Sequence, residues 1–462
     1  METTYNVKVW KIATYKGARG ATYTVRWTLD GNEQRAPFAT RALADAFRSE
    51  LVSATRRGEA FSFSTGRPVS HHSGATAVNW YDFAIQFADL QWDRTAGNSR
   101  KNTAKALTAT TIALLRTPPT GFRPVDVRTA LREFAFNTKR REEAPPEVSA
   151  ILRWVERNTL SMSAWEDPAK VDGVLRAFDV RLDGTRAAAS SVKRNRRVLN
   201  VAMEHAVKRK VLRTNPLPKG RGTAPPTSSA VDKRAILNTG QAARLLGWVR
   251  GRSRGGPRLH AFFALLYYAG PRPEEAVAMR VRDIRLPDPD AADQWCELLL
   301  HTAQPEVGKN WTDSGAIHEK RGLKGRAADD TRVVPGHPSL TRILREHIKV
   351  EELKPSDLLF QGEKGELLAG SVIRRAWRSA RAEVLTPDEF ASPLGKRVYD
   401  LRHTRLTKWL DDGIPPAQVA EWAGNSVPIL LAIYARCVSG QLSELKKRME
   451  AGEDLPELPD VG

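Results

Sequence analysis

The chain has little cysteine and no long hydrophobic run. Cys296 and Cys437 are the two cysteines among 462 residues. They lie far apart in apolar contexts, which excludes a disulfide framework and a cysteine-based zinc site. A membrane-spanning helix needs about 18 or more consecutive apolar residues, and no window of the sequence approaches that length. Residues 1–4 do not open a cleavable signal peptide. We therefore expect a soluble, cytoplasmic protein with no membrane partner.

Acidic residues are fewer than basic residues. The chain has 53 Asp and Glu against 73 Lys and Arg, which gives a net charge of +20 and a pI near 10.1. Clustered positive charge favours a polyanionic partner, because binding releases counterions from a phosphate backbone. This composition indicates a nucleic-acid-binding protein, although an RNA-binding protein or a merely cationic soluble protein has the same balance.

Sequence signatures of metal-dependent or nucleotide-dependent enzymes are missing. The chain has no Walker loop, no HExxH motif and no convincing pair of carboxylates for a two-metal site. His71 and His72 stand together, but no acidic or cysteine partner follows at ligand spacing, so we expect a solvated loop there. We expect neither a metal nor a cofactor.

The length predicts several domains. In residues 1–61, apolar and polar side chains alternate over 7–12 and 22–29, a turn follows at Asp30-Gly31, and Thr40 caps a helix. This pattern predicts a three-stranded sheet with one helix. Its lysines and arginines suit a sheet face laid on DNA, as an arm-type DNA-binding module, and suit a solvated face equally well.

Helical periodicity dominates residues 75–215 and predicts an all-helical domain. Its last helix, around 186–211, has more positive charge than solubility requires. We expect phosphate contacts from four of its residues, which are Lys193, Arg194, Arg196 and Arg197. Residues 216–230 are rich in Pro, Gly, Thr and Ser, which is typical of a flexible linker.

Residues 231–450 predict a mostly helical third domain with a small antiparallel sheet, followed by an acidic tail at 451–462. Residues 259–269 read as a buried helix, 275–280 as the start of another, 295–301 as a strand and 322–335 as a hairpin. From 397 to 434 we expect a helix, a turn and a second helix. The fold class predicted for the whole chain is therefore α+β and multidomain.

Four motifs follow one another in this third domain. They are Arg272 in GPRPEE, Lys324 in LKGRAADDTRVVP, Arg402 in YDLRHT and Tyr434 in AGNSVPILLAIY. Each is weak alone, but together and in this order they resemble the tyrosine recombinases, the phage-type integrase family. The resemblance covers about residues 231–445 and extends more loosely to residues 75–215, as a core-binding domain, and to residues 1–61, as an arm-binding module. It looks closest to integrases of actinobacterial mobile elements.

The resemblance implies a site-specific recombinase that cuts and rejoins DNA. Tyr434 would attack the scissile phosphate and form a 3′-phosphotyrosyl bond, while Arg272 and Arg402 hold the nonbridging oxygens. Lys324 would protonate the departing 5′ oxygen. Three other cations stand near this lysine as alternatives, namely Lys309, Lys320 and Arg326.

The partners implied are double-stranded DNA attachment sites, a homotetramer on synapsed DNA and a recombination directionality factor. The task implied is integration and excision of a mobile element, with association with the nucleoid when bound to DNA.

Two positions depart from the family pattern. Tyr399 stands three residues before Arg402, where most members have histidine, and Asn425 stands where they have histidine or tryptophan. Tyrosine is a poor general base near neutral pH, since its ordinary pKa is about 10. His403 lies one helical turn after Tyr399 and is either a proton acceptor or, as its family position suggests, a packing residue. Glu275 is expected to orient Arg272.

These departures leave two alternatives open. One is a catalytically silent DNA-binding regulator, because Tyr399 and Asn425 weaken the active-site pattern. The other is an enzyme like the type IB topoisomerases, which use the same phosphotyrosine chemistry. The module at 1–61 and the order of the domains count against the topoisomerase.

Overall fold

The computed structural model describes residues 3–17, 20–69, 78–181, 184–219, 230–325, 330–434 and 446. The chain divides into two compact units, Met1–Thr227 and Ser228–Gly462. Several predicted features lie outside the described residues: the histidine pair, most of the 216–230 linker, Arg326, Cys437 and the acidic tail. None of the described helices is long and apolar enough to cross a membrane.

The first unit opens with a sheet and one helix. These elements are β1 (Thr3–Thr4), β2 (Val7–Val9), β3 (Ala13–Gly17), β4 (Gly20–Leu29), β5 (Asn32–Phe38), α1 (Arg41–Arg56) and β6 (Phe61–Ser62). The main sheet has the order β2-β4-β3, with β5 also paired to β4, and β1 pairs with β6. The Thr40 hydroxyl caps α1 by accepting from the backbone N–H of Leu43.

The main sheet has four strands where the sequence predicted three. The additional strand is β3, whose described side chains are exposed. An exposed edge strand has no buried face, so it lacks the apolar alternation by which strands are recognised in sequence. The sheet and α1 enclose a small core that includes Trp27, Leu51 and Phe61.

Helices make up the rest of the first unit, as predicted. They are α2 (Trp80–Trp92), α3 (Gly97–Ala113), α4 (Pro124–Ala130), α5 (Pro146–Asn158), α6 (Pro168–Ala177) and α7 (Ala189–Lys208). Helix α7 buries Val192, Leu199 and Met203. This spacing leaves the opposite face of α7 to its charged residues.

The second unit is mostly helical. Its helices are α8 (Thr239–Arg250), α9 (Gly256–Ala269), α10 (Pro273–Ala276), α11 (Pro338–Val350), α12 (Gly370–Val384), α13 (Pro387–Ala391), α14 (Asp400–Asp411), α15 (Pro416–Ala423) and α16 (Val427–Tyr434). Helix α9 is buried almost all round, as its apolar sequence predicts, and packs against α8, α11 and α14. It is the central helix of the unit.

Two predicted helices of the second unit differ in the structure. The helix expected over 275–280 is the single turn α10, because the backbone at Met279 and Val281 hydrogen-bonds to Leu359 and Asp357 instead. The helix expected to end at Tyr434 is two helices, α15 and α16. Gly424 separates them with a φ of 61°, a left-handed conformation that glycine adopts without strain.

The strands of the second unit are β7 (Ile284–Arg285), β8 (Cys296–Leu300), β9 (Thr302–Ala303), β10 (Arg321–Gly322) and β11 (Arg332–Gly336). The predicted hairpin over 322–335 is wrong. Gly322 pairs with Thr302 and Arg332 pairs with Leu300. Both arms therefore lie antiparallel to the consecutive strands β8 and β9 and do not pair with each other among the described residues.

Core packing around α9 supplies a stability prediction. Phe263 is fully buried, and its ring centroid lies 5.1 Å from that of Trp377 and 5.4 Å from that of Phe262. Phe263→Ala should cost about 3–5 kcal/mol and lower the unfolding temperature of the second unit, measured by calorimetry on the whole chain. Val350→Ala, at a side chain that is 65% exposed, is the control and should change stability by about 0.5 kcal/mol or less.

Candidate active site

Five segments of the second unit meet at one polar cluster. The C-terminus of α9 leads through Gly270 into α10, and β11, α14 and the turn between α15 and α16 complete the cluster. The predicted residues Arg272, Glu275, Arg402 and Asn425 all lie in it, joined by hydrogen bonds to one another or to the same short backbone segments. The structure therefore brings these residues together from positions up to 153 residues apart in sequence.

Glu275 stands at the centre of the cluster. Its Oε1 accepts from Nη1 of Arg272 at 2.7 Å, and its Oε2 accepts from the Arg272 backbone N–H at 2.8 Å and from Nη2 of Arg332 at 2.7 Å. The carboxylate is 1% exposed. One buried carboxylate thus holds two guanidinium groups.

Burial alone would raise the pKa of Glu275, but the charge and hydrogen bonds of Arg332 and the charges of Arg272 and Arg402 outweigh it and lower the pKa to about 2. Glu275 therefore remains an anion at neutral pH. The predicted contact between Glu275 and Arg272 is present.

Arg332 is a member of the cluster that the sequence analysis did not identify. Its guanidinium is completely buried, and burial lowers its pKa despite the opposing charge of Glu275. A signal was present in the sequence. Along β11, Arg332 shares the inward register with Val334, and a charged residue on an inward face requires a buried partner.

Arg402 has a different set of partners. Its Nη1 donates to the carbonyl of Gly270 and its Nη2 to the carbonyl of Ala423, both at 2.6 Å, while its buried Nε has no hydrogen-bond partner among the described residues. Carbonyl groups fix the side chain but leave its charge uncompensated. Among described residues, the three arginines of the cluster share one carboxylate, so the cluster carries excess positive charge.

The turn after α15 places two acceptors on Arg272. Its Nη2 donates to the carbonyl of Gly424 at 3.0 Å and to Oδ1 of Asn425 at 3.2 Å. A Cβ at position 424 would overlap the guanidinium of Arg332. Glycine is therefore needed here both for its left-handed φ and for this close approach. Because Oδ1 of Asn425 accepts the hydrogen bond from Arg272, its amide nitrogen can donate a hydrogen bond to another group.

Tyr434, Tyr399 and His403 form an aromatic group near Arg402. The hydroxyl of Tyr434 lies 2.8 Å from Nδ1 of His403. Tyr399 occupies the N-cap position of α14. Its ring centroid lies 4.9 Å from that of His403 and 6.0 Å from Cζ of Arg402. Burial, with the charges of Arg397 and Arg402, lowers the pKa of His403 to about 4, so the imidazole is neutral at physiological pH.

The remaining predicted residues are Lys324 in the second unit and four basic residues in the first. Lys324 is exposed in the connection between β10 and β11, and no hydrogen bond or ion pair within the described residues joins it to the arginines. In the first unit, three of the four predicted DNA-binding residues of α7 are exposed, and the fourth, Arg196, is half-buried.

The structure resembles several solved protein structures at low sequence identity. The Tn1549 transposon integrase in complex with a circular intermediate DNA matches with a TM-score of 0.47 and 12% identity over 70% of this chain and 99% of that one. The XerH site-specific recombinase bound to a palindromic difH substrate matches with a TM-score of 0.44 and 15% identity over 76% of this chain and 96% of that one. A lambda integrase dimer bound to a COC′ core site matches with a TM-score of 0.43 and 11% identity over 96% and 97%.

These matches are integrases and recombinases. No model of a known protein family matches the chain. A search of curated proteins finds no match either.

The ion cluster supplies a prediction about stability and pH. Glu275→Gln leaves the fully buried Arg332 without its carboxylate and should cost about 3–5 kcal/mol at pH 7, measured by urea unfolding. The pKa of Glu275 is lowered in the folded chain, so its stabilising contribution is complete above the ordinary pKa of 4.5 and is lost as pH falls towards about 2. The difference between wild type and variant should shrink over that range.

Glu274→Gln removes the same charge from the neighbouring residue and is the matched control, because Glu274 has no hydrogen bond to either guanidinium among the described contacts. A variant at 275 that is no less stable than the one at 274 would contradict the central role of the Glu275 carboxylate.

Proposed function

We propose that this chain is a site-specific DNA recombinase of the tyrosine type. The observation that carries the proposal is the excess positive charge of the buried cluster, where Arg272 and Arg332 share the Glu275 carboxylate and Arg402 has backbone carbonyls as its hydrogen-bond partners among described residues. A buried positive charge without a negative partner raises the free energy of the folded chain, and a bound anion lowers it. A phosphodiester group supplies that anion, and the net charge of +20 favours a nucleic-acid partner.

The proposed reaction uses four residues. The oxygen of Tyr434 attacks the phosphorus of the scissile phosphodiester, and the bond from phosphorus to the 5′ oxygen breaks. Arg272 and Arg402 hold the nonbridging oxygens as negative charge builds up in the transition state, for which planar guanidinium groups are well suited. Lys324 gives a proton to the departing 5′ oxygen.

Strand exchange follows when the 5′ hydroxyl of a second strand attacks the phosphotyrosine. The new phosphodiester forms and Tyr434 is released. Because the phosphotyrosyl bond conserves the energy of the phosphodiester, the reaction requires neither nucleotide hydrolysis nor a metal.

Two of these residues require movement before they act. The side chain of Tyr434 is 1% exposed, so DNA binding must uncover its hydroxyl. Lys324 is exposed and has no hydrogen bond or ion pair with the arginines among described residues, so it must move to reach the phosphate.

The finer assignments belong to the same proposal. The module at 1–61 binds an arm site, the helical domain at 75–215 and the catalytic domain at 231–450 bind the core site, and four copies act on synapsed attachment sites. The task is integration and excision of a mobile element, with a directionality factor as partner. The protein associates with the nucleoid when it is bound to DNA.

The test is covalent trapping on DNA. The probes are nicked suicide duplexes that tile the two junctions between the host chromosome and the element that encodes this chain. The wild type should form a phosphotyrosyl adduct that resists denaturing electrophoresis, and Tyr434→Phe should form none, because it lacks the attacking oxygen. Tyr268→Phe removes one hydroxyl from the same unit and should leave the adduct yield unchanged.

The other outcomes separate the alternatives. If the wild type binds a duplex tightly but forms an adduct with none, the chain is a DNA-binding regulator. If it forms adducts at many unrelated sequences and relaxes supercoiled plasmid, it is a topoisomerase of type IB.

A further prediction concerns the basic face of α7. Changing Lys193, Arg194 and Arg197 to Gln should weaken DNA binding and lower the slope of log affinity against log salt, measured by fluorescence anisotropy. The expected decrease is about 0.9 for each phosphate that the variant no longer neutralises. Lys170→Gln, at an exposed lysine on α6, is the control. Equal slopes in the wild type and the triple variant would show that this face does not bind phosphates.

A further inference from the structure

We propose that His403 accepts the proton of Tyr434 when the tyrosine attacks the DNA phosphate. This inference rests on the proposed recombinase activity and assigns the one step that the family resemblance leaves without a residue. The position three residues before Arg402, where the family has histidine, holds Tyr399 in this chain. The proton acceptor has accordingly moved one helical turn along α14.

The geometry is that of a nucleophile and its base. Nδ1 of His403 lies 2.8 Å from the Tyr434 hydroxyl, within the range of a direct hydrogen bond, and the two ring centroids are 5.6 Å apart. Both side chains are buried, at 9% and 1% exposed. For Nδ1 to accept from the hydroxyl, the imidazole must be neutral with its proton on Nε2.

The surroundings keep the imidazole in that neutral form. In the described part of the chain, the titratable groups that bear on His403 are Arg397, Arg402 and Tyr399 from its own helix and the preceding turn, and Tyr434 from α16. Burial and the two arginine charges both disfavour the imidazolium. The ring of Tyr399 packs against the imidazole, with the two centroids 4.9 Å apart.

The proton step balances in both directions. As the bond forms between the Tyr434 oxygen and phosphorus, the hydroxyl proton passes to Nδ1 of His403, and the 5′ oxygen leaves with a proton from Lys324. In the reverse step, the 5′ hydroxyl gives its proton to Lys324 as its oxygen attacks phosphorus, the bond between phosphorus and the Tyr434 oxygen breaks, and His403 returns its proton to the tyrosine oxygen. The histidine is then neutral again.

The difference between the pKa of an ordinary tyrosine and that of His403 indicates when the proton is transferred. An ordinary tyrosine has a pKa of about 10, and the pKa of His403 is about 4. Transfer in the free chain is therefore unfavourable. A bound phosphate opposes the arginine charges and makes His403 more basic, while formation of the O–P bond makes the phenolic proton more acidic. The transfer is thus coupled to attack and does not precede it.

His403→Asn provides the decisive variant. The amide oxygen of Asn lies near the position of Nδ1 and still accepts a hydrogen bond, but it does not take up a proton. Cleavage of suicide DNA under single-turnover conditions at saturating protein should be nearly independent of pH between 7 and 9 in the wild type. The variant should be about 10²–10⁴ times slower at pH 7, and its rate should rise towards tenfold per pH unit, because it depends on spontaneous loss of the tyrosine proton.

A substrate with sulfur in place of the bridging 5′ oxygen separates the base from the acid. A thiol has a pKa of about 8.5, far below that of an alcohol, so its departure needs no proton donor. This substrate should restore cleavage by Lys324→Ala but not by His403→Asn. His347→Gln removes another buried histidine, one that contacts the Leu359 carbonyl, and should retain the wild-type pH profile.

Two results would overturn the base role while leaving the recombinase proposal intact. One is a His403→Asn rate equal to that of the wild type with the same flat pH profile. The other is a faster variant, which would mean that His403 only restrains Tyr434. If the wild type forms no adduct at all, the proposed function itself fails.

Discussion

The shared carboxylate of Glu275 is the interaction on which the rest of the site depends. It joins the turn after α9 to strand β11 and is the one anion in hydrogen-bond contact with the buried arginines among described residues. Because Glu275 holds Arg272 through both its backbone and its side chain, the guanidinium is directed at the turn carrying Gly424 and Asn425. The carboxylate thereby couples segments that are far apart in the sequence.

Sequence reasoning was most successful where a residue's environment follows from its local pattern. The apolar run of α9 had to be buried, and Arg272 had to follow the end of that helix. His403 had to lie one turn from Tyr399 on the same face. These placements depend on helix geometry alone, and the structure shows each of them.

The structural features that the sequence did not predict depend on contacts between distant segments. The two arms around Lys324 pair with β8–β9 rather than with each other, and turn residues between two short strands do not distinguish these arrangements. Arg402 is held by the carbonyls of Gly270 and Ala423, and main-chain acceptors leave no signature in side-chain identity. Strand β3 is an exposed edge strand, and the pattern of apolar residues does not reveal it either.

The excess charge of the cluster and the neutrality of His403 have a common origin. Among described residues, the hydrogen-bond partners of Arg402 are two backbone carbonyls, and its charge is one of the causes that lower the pKa of the neighbouring imidazole. On the proposed function, the same charge that attracts a phosphate would keep the proton acceptor unprotonated and leave the tyrosine hydroxyl as the donor. When an anion neutralises the arginines, this suppression is relieved, and the basicity of His403 rises at the moment when the nucleophile has a target. On the proposed function, DNA binding would itself prepare the proton transfer, and a chain without DNA would hold its tyrosine covered and unreactive.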